Sequence, residues 1–216
     1  MPRRLVIDPR EVTPDQLAPA VRLLLEGGVV AGPTQSFYAL MALVDQPRAL
    51  EKIAGLKGRQ GRRRKPLLIM LDQEARVSCY AKETPAAAKG LAAAFWPGPL
   101  TLLLPAHNDL HPSLLGPGRT VGLRVEGLKV VRLLARMADR GLTGPSANPG
   151  GSPPPVSADE VVEYFGEAVD LVLDGGPTSG EEASTIIDAA LSPPRVVRSG
   201  PLAPADLLKA CPSLKL

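Results

Sequence analysis

Apolar residues recur along this chain in two alternating patterns, short continuous runs and longer stretches with helical spacing. A short apolar run bounded by turn residues is typical of a buried strand, whereas apolar residues every third or fourth position indicate an amphipathic helix. The runs predict strands at 5–7, 28–31, 66–71, 100–104 and 120–125, and near 141–145, 169–174, 184–188 and 195–199. The helical spacing predicts helices at 13–26, 47–56, 85–95, 128–140 and 158–165.

This alternation continues through the chain without a linker or an internal repeat. The three prolines at 153–155 are too few to separate two domains and predict a stiff loop instead. Alternating strands and helices favour an α/β fold. We therefore expect a single α/β domain over residues 1–216, with its core at about 15–200 and a sizeable mixed parallel and antiparallel sheet.

The first helix carries a clear start signal. Thr13 suits the N-cap, Pro14 the first helical position, and Gln16 the position that closes a capping box. Pro19 conflicts with this pattern because proline removes a backbone hydrogen bond inside a helix. We expect Pro19 to delay the regular helix by about a turn.

The predicted strand at 120–125 contains an arginine. Alternation directs Val121, Leu123 and Val125 to one face and Thr120 and Arg124 to the other. An arginine in an apolar strand needs an anionic partner if it is buried. That partner is either a bound carboxylate or phosphate, or an Asp or Glu of this chain.

Positive charge is concentrated in one segment. Six of the nine residues from 57 to 65 are Lys or Arg, and without these six the formal charge falls from +3 to −3. The segment is either a solvated loop or a site for a polyanion such as a triphosphate or a nucleic-acid backbone. A second basic stripe lies on the helix at 128–140, where it indicates an exposed face or an RNA contact.

Cysteine usage and the N-terminal residues bear on the compartment. Cys79 and Cys211 are isolated, which fits a reducing environment rather than a disulfide framework. No apolar segment follows the basic residues at the N-terminus as in a signal peptide, and no stretch is long and apolar enough for a bilayer. These features predict a cytoplasmic protein that binds no membrane.

Polar residues cluster directly after or before several predicted strands. Such positions suit turns, because Gly, Ser, Asn and Pro are turn formers, but they are also where α/β sheets bind ligands. Their repetition indicates a groove for a polar, anionic ligand. The clusters are Thr34-Gln35-Ser36, Ser146-Ala147-Asn148, Asp174-Gly175-Gly176, Ser184-Thr185 and Arg198-Ser199-Gly200.

Other familiar chemistries have little support. His107 and His111 are the two histidines, they lie off any predicted helix, and no cysteine is near, so a protein metal site is not expected. The same scarcity of histidine argues against a Ser-His-Asp triad. The chain also lacks the P-loop motif and a strand-linked GxGxxG motif.

Taken in order, the polar clusters resemble the YrdC/YciO-like family, whose best-understood members are threonylcarbamoyl-AMP synthases. The similarity covers about 15–200. The matching motifs are Pro33-Thr34-x-Ser36-x-Tyr38-x-Leu40, Lys57-Gly58-Arg59, Lys65-Pro66-Leu67, Phe95-Trp96-Pro97-Gly98-Pro99-Leu100-Thr101, Val121-x-Leu123-Arg124-Val125, Pro145-Ser146-Ala147-Asn148-Pro149, Asp174-Gly175-Gly176, Ser184-Thr185-Ile186-Ile187-Asp188 and Arg198-Ser199-Gly200.

This resemblance implies a twisted sheet flanked by helices, with a large basic concave groove. It also implies that L-threonine, bicarbonate and ATP are converted to threonylcarbamoyl-AMP and pyrophosphate for the t6A modification of tRNA, with a transferase of that pathway as a partner. ATP would bring Mg²⁺. No tightly bound cofactor is implied.

Site roles follow from the resemblance alone. ATP-binding roles fall on Lys57, Arg59, Thr120, Ser146, Asn148 and Arg198. Lys57, Arg59, Ser146 and Asn148 would also be catalytic, through positioning and electrostatics. Threonine-binding roles fall on Thr34, Lys65, Arg124 and Ser184.

The chain departs from the synthase pattern Pro-Thr-Glu-Thr-x-Tyr-Gly-Leu at three positions, where it has Gln35, Ser36 and Ala39. A neutral amide at position 35 cannot act as a base or carry a counter-charge. The alternative is therefore a YciO-like paralogue that binds a nucleotide or RNA (double-stranded RNA, tRNA or ribosomal RNA) without efficient synthase activity. Its RNA contacts would be Arg62, Arg63, Arg64, Arg132 and Arg136.

Overall fold

The computed structural model describes residues 3–58 and 65–216, and strands and helices alternate within these ranges. The strands are β1 (Arg3–Val6), β2 (Val30–Pro33), β3 (Tyr38–Met41), β4 (Ile69–Leu71), β5 (Leu100–Pro105), β6 (Thr120–Val125), β7 (Leu142–Thr143), β8 (Leu171–Asp174), β9 (Thr185–Asp188) and β10 (Arg195–Arg198). The helices are α1 (Pro14–Leu25), α2 (Pro47–Leu56), α3 (Ala86–Phe95), α4 (Lys129–Ala138), α5 (Ala158–Phe165) and α6 (Pro204–Ala210).

The strands form two mixed sheets. One has the order β1-β8-β2-β3, and the other has the order β10-β9-β5-β6-β4-β7. Parallel pairs, such as β2 with β8 and β4 with β6, lie beside antiparallel pairs, such as β2 with β3 and β5 with β6. The expected α/β class with mixed pairing is confirmed. The division into two sheets was not part of the prediction.

Strand β3 connects the two sheets. On the side away from β2, the N–H of Leu40 donates to the carbonyl of Pro145 (2.9 Å), and the N–H of Ala147 donates to the carbonyl of Tyr38 (2.8 Å). A further bridge joins Leu43 to Leu142 at the start of β7. The segment that carries Ser146 is therefore attached directly to the strand that follows the Thr34–Ser36 turn.

The start of α1 agrees with its signal, but the effect expected of Pro19 is wrong. Thr13 and Gln16 form a reciprocal capping box, and the helix runs from Pro14 through Pro19 to Leu25 without delay. Pro19 is exposed and removes only the bond to the carbonyl of Asp15, which is also exposed. Water can hydrate that carbonyl, so the proline is tolerated.

Most other bounds agree closely with the apolar pattern. Helix α2 and strand β6 have the predicted limits, whereas the strand expected at 66–71 is reduced to β4. Strand β3 and helix α6 were not predicted. None of the helices within the described ranges combines the length and apolar character that crossing a membrane requires.

Candidate active site

A cavity of about 540 Å³ lies where several strand ends of both sheets meet. The three charged residues that line it are all basic, namely Lys65, Arg124 and Arg198, and no Asp or Glu is among its described lining residues. Four of the five predicted polar clusters contribute to the lining, through Thr34 and Ser36, Ser146, Ser184, and Arg198 itself. Thr101 lines the cavity as well. The cavity is therefore suited to an anionic ligand.

Arg124 is the penultimate residue of β6 and is only 6% exposed. Its Nε donates to the carbonyl of Gly98 (2.9 Å), and its Nη2 donates to Oε1 of Gln35 (2.9 Å) and Oε1 of Glu126 (3.1 Å). Burial lowers the pKa of Arg124, and the negative charge of Glu126 opposes that shift. The sequence left two possible partners for a buried arginine, a bound anion or an acidic residue of this chain. The structure shows an acidic residue, Glu126.

Glu126 is a residue that our sequence analysis missed. It is 0% exposed, and its Oε1 accepts hydrogen bonds from the backbone N–H groups of Gln35 (3.2 Å) and Gly127 (3.1 Å) as well as from Arg124. The sequence contained a signal for this contact, because side chains two residues apart on an extended chain point to the same face. The spacing of Arg124 and Glu126 could have indicated the pair.

Arg198 lies at the end of β10 and holds the residue before β9. Its Nη2 donates to the carbonyl (2.7 Å) and to Oγ (3.1 Å) of Ser184, whose hydroxyl is also hydrogen-bonded to Thr101 (2.8 Å). The pKa of Arg198 is lowered first by burial and then by the positive charge of Arg124. Two guanidinium groups thus repel each other across a cavity that has room for an anion.

The turn between β2 and β3 is fixed by its own and by distant contacts. Thr34 closes the turn by donating its N–H (3.0 Å) and its Oγ1 (2.7 Å) to the carbonyl of Phe37. Oγ of Ser36 donates to the carbonyl of Glu182 (3.0 Å), and Oγ of Ser179 donates to the carbonyl of Gln35 (3.0 Å). The turn therefore presents Thr34 and Ser36 to the cavity in a defined conformation.

Tyr38 anchors the same turn to the segment after β8. Its hydroxyl donates to the carbonyl of Gly176 (2.7 Å) and accepts from the N–H of Gly175 (3.2 Å). The side chain is fully buried. Burial raises the pKa of Tyr38 to about 12.

Lys57 and Asn148 lie behind the cavity rather than in its lining. Lys57, only 3% exposed at the end of α2, donates from Nζ to the carbonyls of Ser146 (2.7 Å) and Asn148 (2.5 Å) and to Oδ1 of Asn148 (2.9 Å). Oγ of Ser146 donates to the same Oδ1 (2.5 Å). In this conformation the two predicted ATP ligands hold the loop that places Ser146 in the cavity.

The remaining predicted site residues are placed elsewhere. Thr120 is buried, donates from Oγ1 to the carbonyl of Pro117 (3.1 Å), and does not line the cavity. Arg59, Arg62, Arg63 and Arg64 lie outside the described residues.

The two α4 arginines proposed for RNA have contacts of their own. Nη1 of Arg132 donates to the carbonyls of Glu126 (2.7 Å) and Gly127 (2.6 Å). Nε of Arg136, whose side chain is 65% exposed, lies 3.6 Å from a carboxylate oxygen of Asp72. Arg132 therefore supports the loop after β6 instead of facing solvent as a free cation.

Across 3–58 and 65–216, no three His, Cys, Asp or Glu side chains are grouped so that they could hold a metal ion. His107 contacts the carbonyl of Ser78, and His111 contacts the hydroxyl of Ser113.

Comparison with curated proteins finds relatives over most of the chain. The threonylcarbamoyl-AMP synthase of Pyrococcus abyssi is 34% identical over 197 residues, which are 91% of this chain and 57% of that protein. The threonylcarbamoyl-AMP synthase of Bacillus subtilis is 33% identical over 196 residues, or 90% of this chain and 56% of that protein. The chain thus spans slightly more than half the length of these relatives.

Comparison with solved structures gives the same group of proteins. P. abyssi Sua5 complexed with L-threonine has a TM-score of 0.90 at 31% identity, covering 100% of this chain and 62% of that one. Escherichia coli YciO has a TM-score of 0.84 at 26% identity, covering 96% of this chain and 100% of that one.

One family model also matches most of the chain. It is the Sua5, YciO and YrdC model, described as telomere recombination, and it matches residues 22–200. Together with the relatives above 30% identity, this match identifies the chain as a member of the Sua5/YciO/YrdC family.

Proposed function

We propose that this chain is an L-threonylcarbamoyladenylate synthase, which makes threonylcarbamoyl-AMP, pyrophosphate and water from L-threonine, bicarbonate and ATP. The observation that carries the proposal is the cavity with three basic residues, Lys65, Arg124 and Arg198, and no acidic residue in its described lining. Its volume of about 540 Å³ is typical of small-molecule sites. Two relatives that are threonylcarbamoyl-AMP synthases, and a solved relative complexed with L-threonine, support the assignment.

The products define the charge that the site must stabilise. The adenylate forms when a carbamate oxygen of N-carboxythreonine bonds to the α-phosphorus of ATP and the bond from that phosphorus to the α,β-bridging oxygen breaks. Negative charge therefore increases on the leaving pyrophosphate. Fixed cations aimed at that charge stabilise the transition state more than the substrate. Arg198, which is hydrogen-bonded to Ser184 at the cavity, would supply such a cation. An anion between Arg198 and Arg124 would relieve the repulsion between the two guanidinium groups.

L-Threonine is assigned to the part of the cavity at Arg124. A planar guanidinium is the natural partner of its carboxylate. Thr34, Lys65 and Ser184 line the same cavity and complete the proposed threonine site. No covalent protein nucleophile is needed, because the substrates themselves carry the reacting groups.

ATP is assigned to the part of the cavity at Ser146 and Arg198. Lys57 and Asn148 would act by holding the Ser146 loop, and Arg59 and Thr120 keep the ATP-binding roles that the family resemblance gives them. Mg²⁺ would enter with the nucleotide phosphates, and bicarbonate would be the third substrate, with no tightly bound cofactor.

The cellular role follows from the product. A threonylcarbamoyl adenylate is an activated group that a transferase can move to tRNA in t6A formation, and such an enzyme would be cytoplasmic. Direct tRNA or double-stranded RNA binding through Arg62, Arg63, Arg64, Arg132 and Arg136 stays a prediction, and the contacts of Arg132 and Arg136 do not favour it. Such binding would weaken steeply with salt and would need neither ATP nor threonine.

The direct test is pyrophosphate release from ATP in the presence of Mg²⁺, bicarbonate and L-threonine, with each substrate omitted in turn. The proposal predicts release that requires all three substrates. An Arg124→Ala variant should raise the KM for threonine by more than about tenfold with a much smaller effect on the KM for ATP. ATP binding without any threonine-dependent release would contradict the proposal and favour the paralogue alternative.

A further inference from the structure

Glu126 has a set of contacts that the proposed chemistry leaves unexplained. It is a fully buried carboxylate directly after β6, outside the lining of the cavity. Oε1 accepts from the guanidinium of Arg124, from the N–H of Gln35, and from the N–H groups of Gly127 and Leu128 in the loop after β6. One carboxylate oxygen therefore ties the proposed threonine-binding arginine to the turn that carries Thr34.

The second oxygen of Glu126 is also informative. Oε2 lies 3.0 Å from Nη2 of Arg124, yet it makes no hydrogen bond within the part of the chain that the structure describes. A buried acceptor without a hydrogen bond is costly, so a neutral residue would be favoured here if only packing mattered. The interaction that compensates for this cost is the charge of Arg124, which burial would otherwise disfavour.

The side chain of Gln35 packs beside the Arg124–Glu126 pair and against Gly127. Its Oε1 accepts from the same Nη2 of Arg124 (2.9 Å). A Cβ atom on Gly127 would lie 2.2 Å from Cδ of Gln35, so glycine at 127 makes the room for the amide. Arg132 fixes the backbone of this loop by donating to the carbonyls of Glu126 and Gly127.

These contacts leave one nitrogen of Arg124 for a ligand. Nε and Nη2 are used by Gly98, Gln35 and Glu126, whereas Nη1 makes no hydrogen bond within the described ranges. Arg124 itself lines the cavity. The guanidinium is thus held on one side by the protein and is available on the other.

We propose that Glu126 is a positioning residue for threonine binding, which holds the Arg124 guanidinium at the cavity and supplies its single counter-charge while position 35 stays neutral. This inference rests on the proposed function. A second carboxylate at position 35 would over-neutralise Arg124 and repel the carboxylate of threonine. Without any carboxylate, the Arg124 guanidinium would keep only the neutral acceptors of Gly98 and Gln35 and would have no counter-charge to fix it. One acid, at either position, is the arrangement that the site requires.

Four forms of the protein test this rule: the native chain, Glu126→Gln, Gln35→Glu and the exchange variant Gln35→Glu/Glu126→Gln. We expect each single change to raise the KM for threonine by about tenfold or more while the KM for ATP stays within about twofold. The exchange variant should return the KM for threonine to within about threefold of the native value. Equal effects on both substrates, or no recovery in the exchange variant, would overturn the inference.

Asp72→Asn is the matched control, because Asp72 is also a buried acid and lies 3.6 Å from Nε of both Arg76 and Arg136 instead of beside the cavity. It should lower the melting temperature without changing either KM. A loss of threonine binding in this control would show that the effect is general destabilisation.

A measurement without substrates separates this inference from the proposed function. The Nε–H of Arg124 donates to Gly98 inside the protein, so its hydrogen exchange should be slow by NMR, with the signal assigned by its loss in Arg124→Lys. Glu126→Gln should accelerate this exchange by about tenfold or more, and the exchange variant should restore protection. Unchanged exchange in Glu126→Gln would refute the positioning role, whereas absence of product from the native chain would refute the synthase proposal alone.

Discussion

Nζ of Lys57 lies 2.9 Å from Oδ1 of Asn148, although 91 residues separate them in the chain. The same ammonium group donates to the carbonyls of Ser146 and Asn148. Oγ of Ser146 lies 3.5 Å from the same nitrogen, so one loop supplies several acceptors to this ammonium. The contact explains how a lysine at the end of α2 can determine the position of Ser146 without itself lining the cavity.

Replacing Lys57 should therefore destabilise the fold as well as the site. Lys57→Met removes one donor from each of two loop carbonyls and from Oδ1 of Asn148, and it should lower the free energy of unfolding by about 3 kcal/mol. Lys52→Met, on the same helix, removes only a partly exposed ion pair with Asp170 and should cost less than about 1 kcal/mol. Urea unfolding of both variants checks this, and similar losses would contradict the assigned role.

Replacing Arg198 should change the KM for ATP more than the stability of the fold. Arg198→Ala removes a cation from the cavity, so we expect the KM for ATP to rise by about tenfold or more. Arg195, an exposed residue at the other end of β10, provides the control. Arg195→Ala should leave the KM for ATP within about twofold of the native value. Steady-state kinetics at saturating threonine compares the two, and equal changes would argue against a nucleotide contact at Arg198.

The two arginines of α4 should behave differently despite their similar positions. Arg132→Ala removes two hydrogen bonds to the loop after β6 and should lower the free energy of unfolding by about 1–3 kcal/mol. Arg136→Ala removes a long, largely exposed ion pair and should stay within about 0.5 kcal/mol of the native protein. Chemical denaturation measures both values. If Arg136→Ala were the more destabilising change, the assignment of Arg132 to loop support would be incorrect.

Tyr38 should make the protein sensitive to alkaline pH. Its folded pKa of about 12 is above the ordinary value of 10.0, so the unfolded chain loses this proton first as the pH rises. Stability is therefore fully present below about pH 10 and falls by about 2–3 kcal/mol as the pH approaches 12. Tyr38→Phe should lack this part of the loss, whereas Tyr164→Phe should retain it. Unfolding curves measured between these pH values would disprove the assignment if all three proteins lost stability in parallel.

The sequence was informative wherever a local signal decides the structure. The bounds of α2 and β6 and the capping box of α1 follow from apolar spacing and from Thr13 and Gln16. Strand β3 was missed because Tyr38 to Met41 follows a polar turn that resembles a ligand loop and continues into a longer apolar stretch. The division into two sheets depends on pairings such as Val30 with Leu171, which no local pattern reveals.

Part of the candidate site could also be predicted from local signals in the sequence. The polar clusters that bring Thr34, Ser146, Ser184 and Arg198 to one cavity are visible as residues beside strands. Glu126 was missed because it lies one residue beyond the end of β6, outside the alternating pattern that predicted the strand. The inward position of Lys57 depends on a contact with Asn148 across 91 residues, which the sequence alone does not contain.

The central claim is best tested by following the carbon of bicarbonate. The native protein would be incubated with ATP, Mg²⁺, L-threonine and bicarbonate labelled with a heavy carbon isotope, and the adenylate would be analysed by mass spectrometry. The account predicts a threonylcarbamoyl adenylate that carries the heavy carbon. An unlabelled adenylate of threonine itself, formed by attack of the amino-acid carboxylate on ATP, would contradict it, as would the absence of any adenylate.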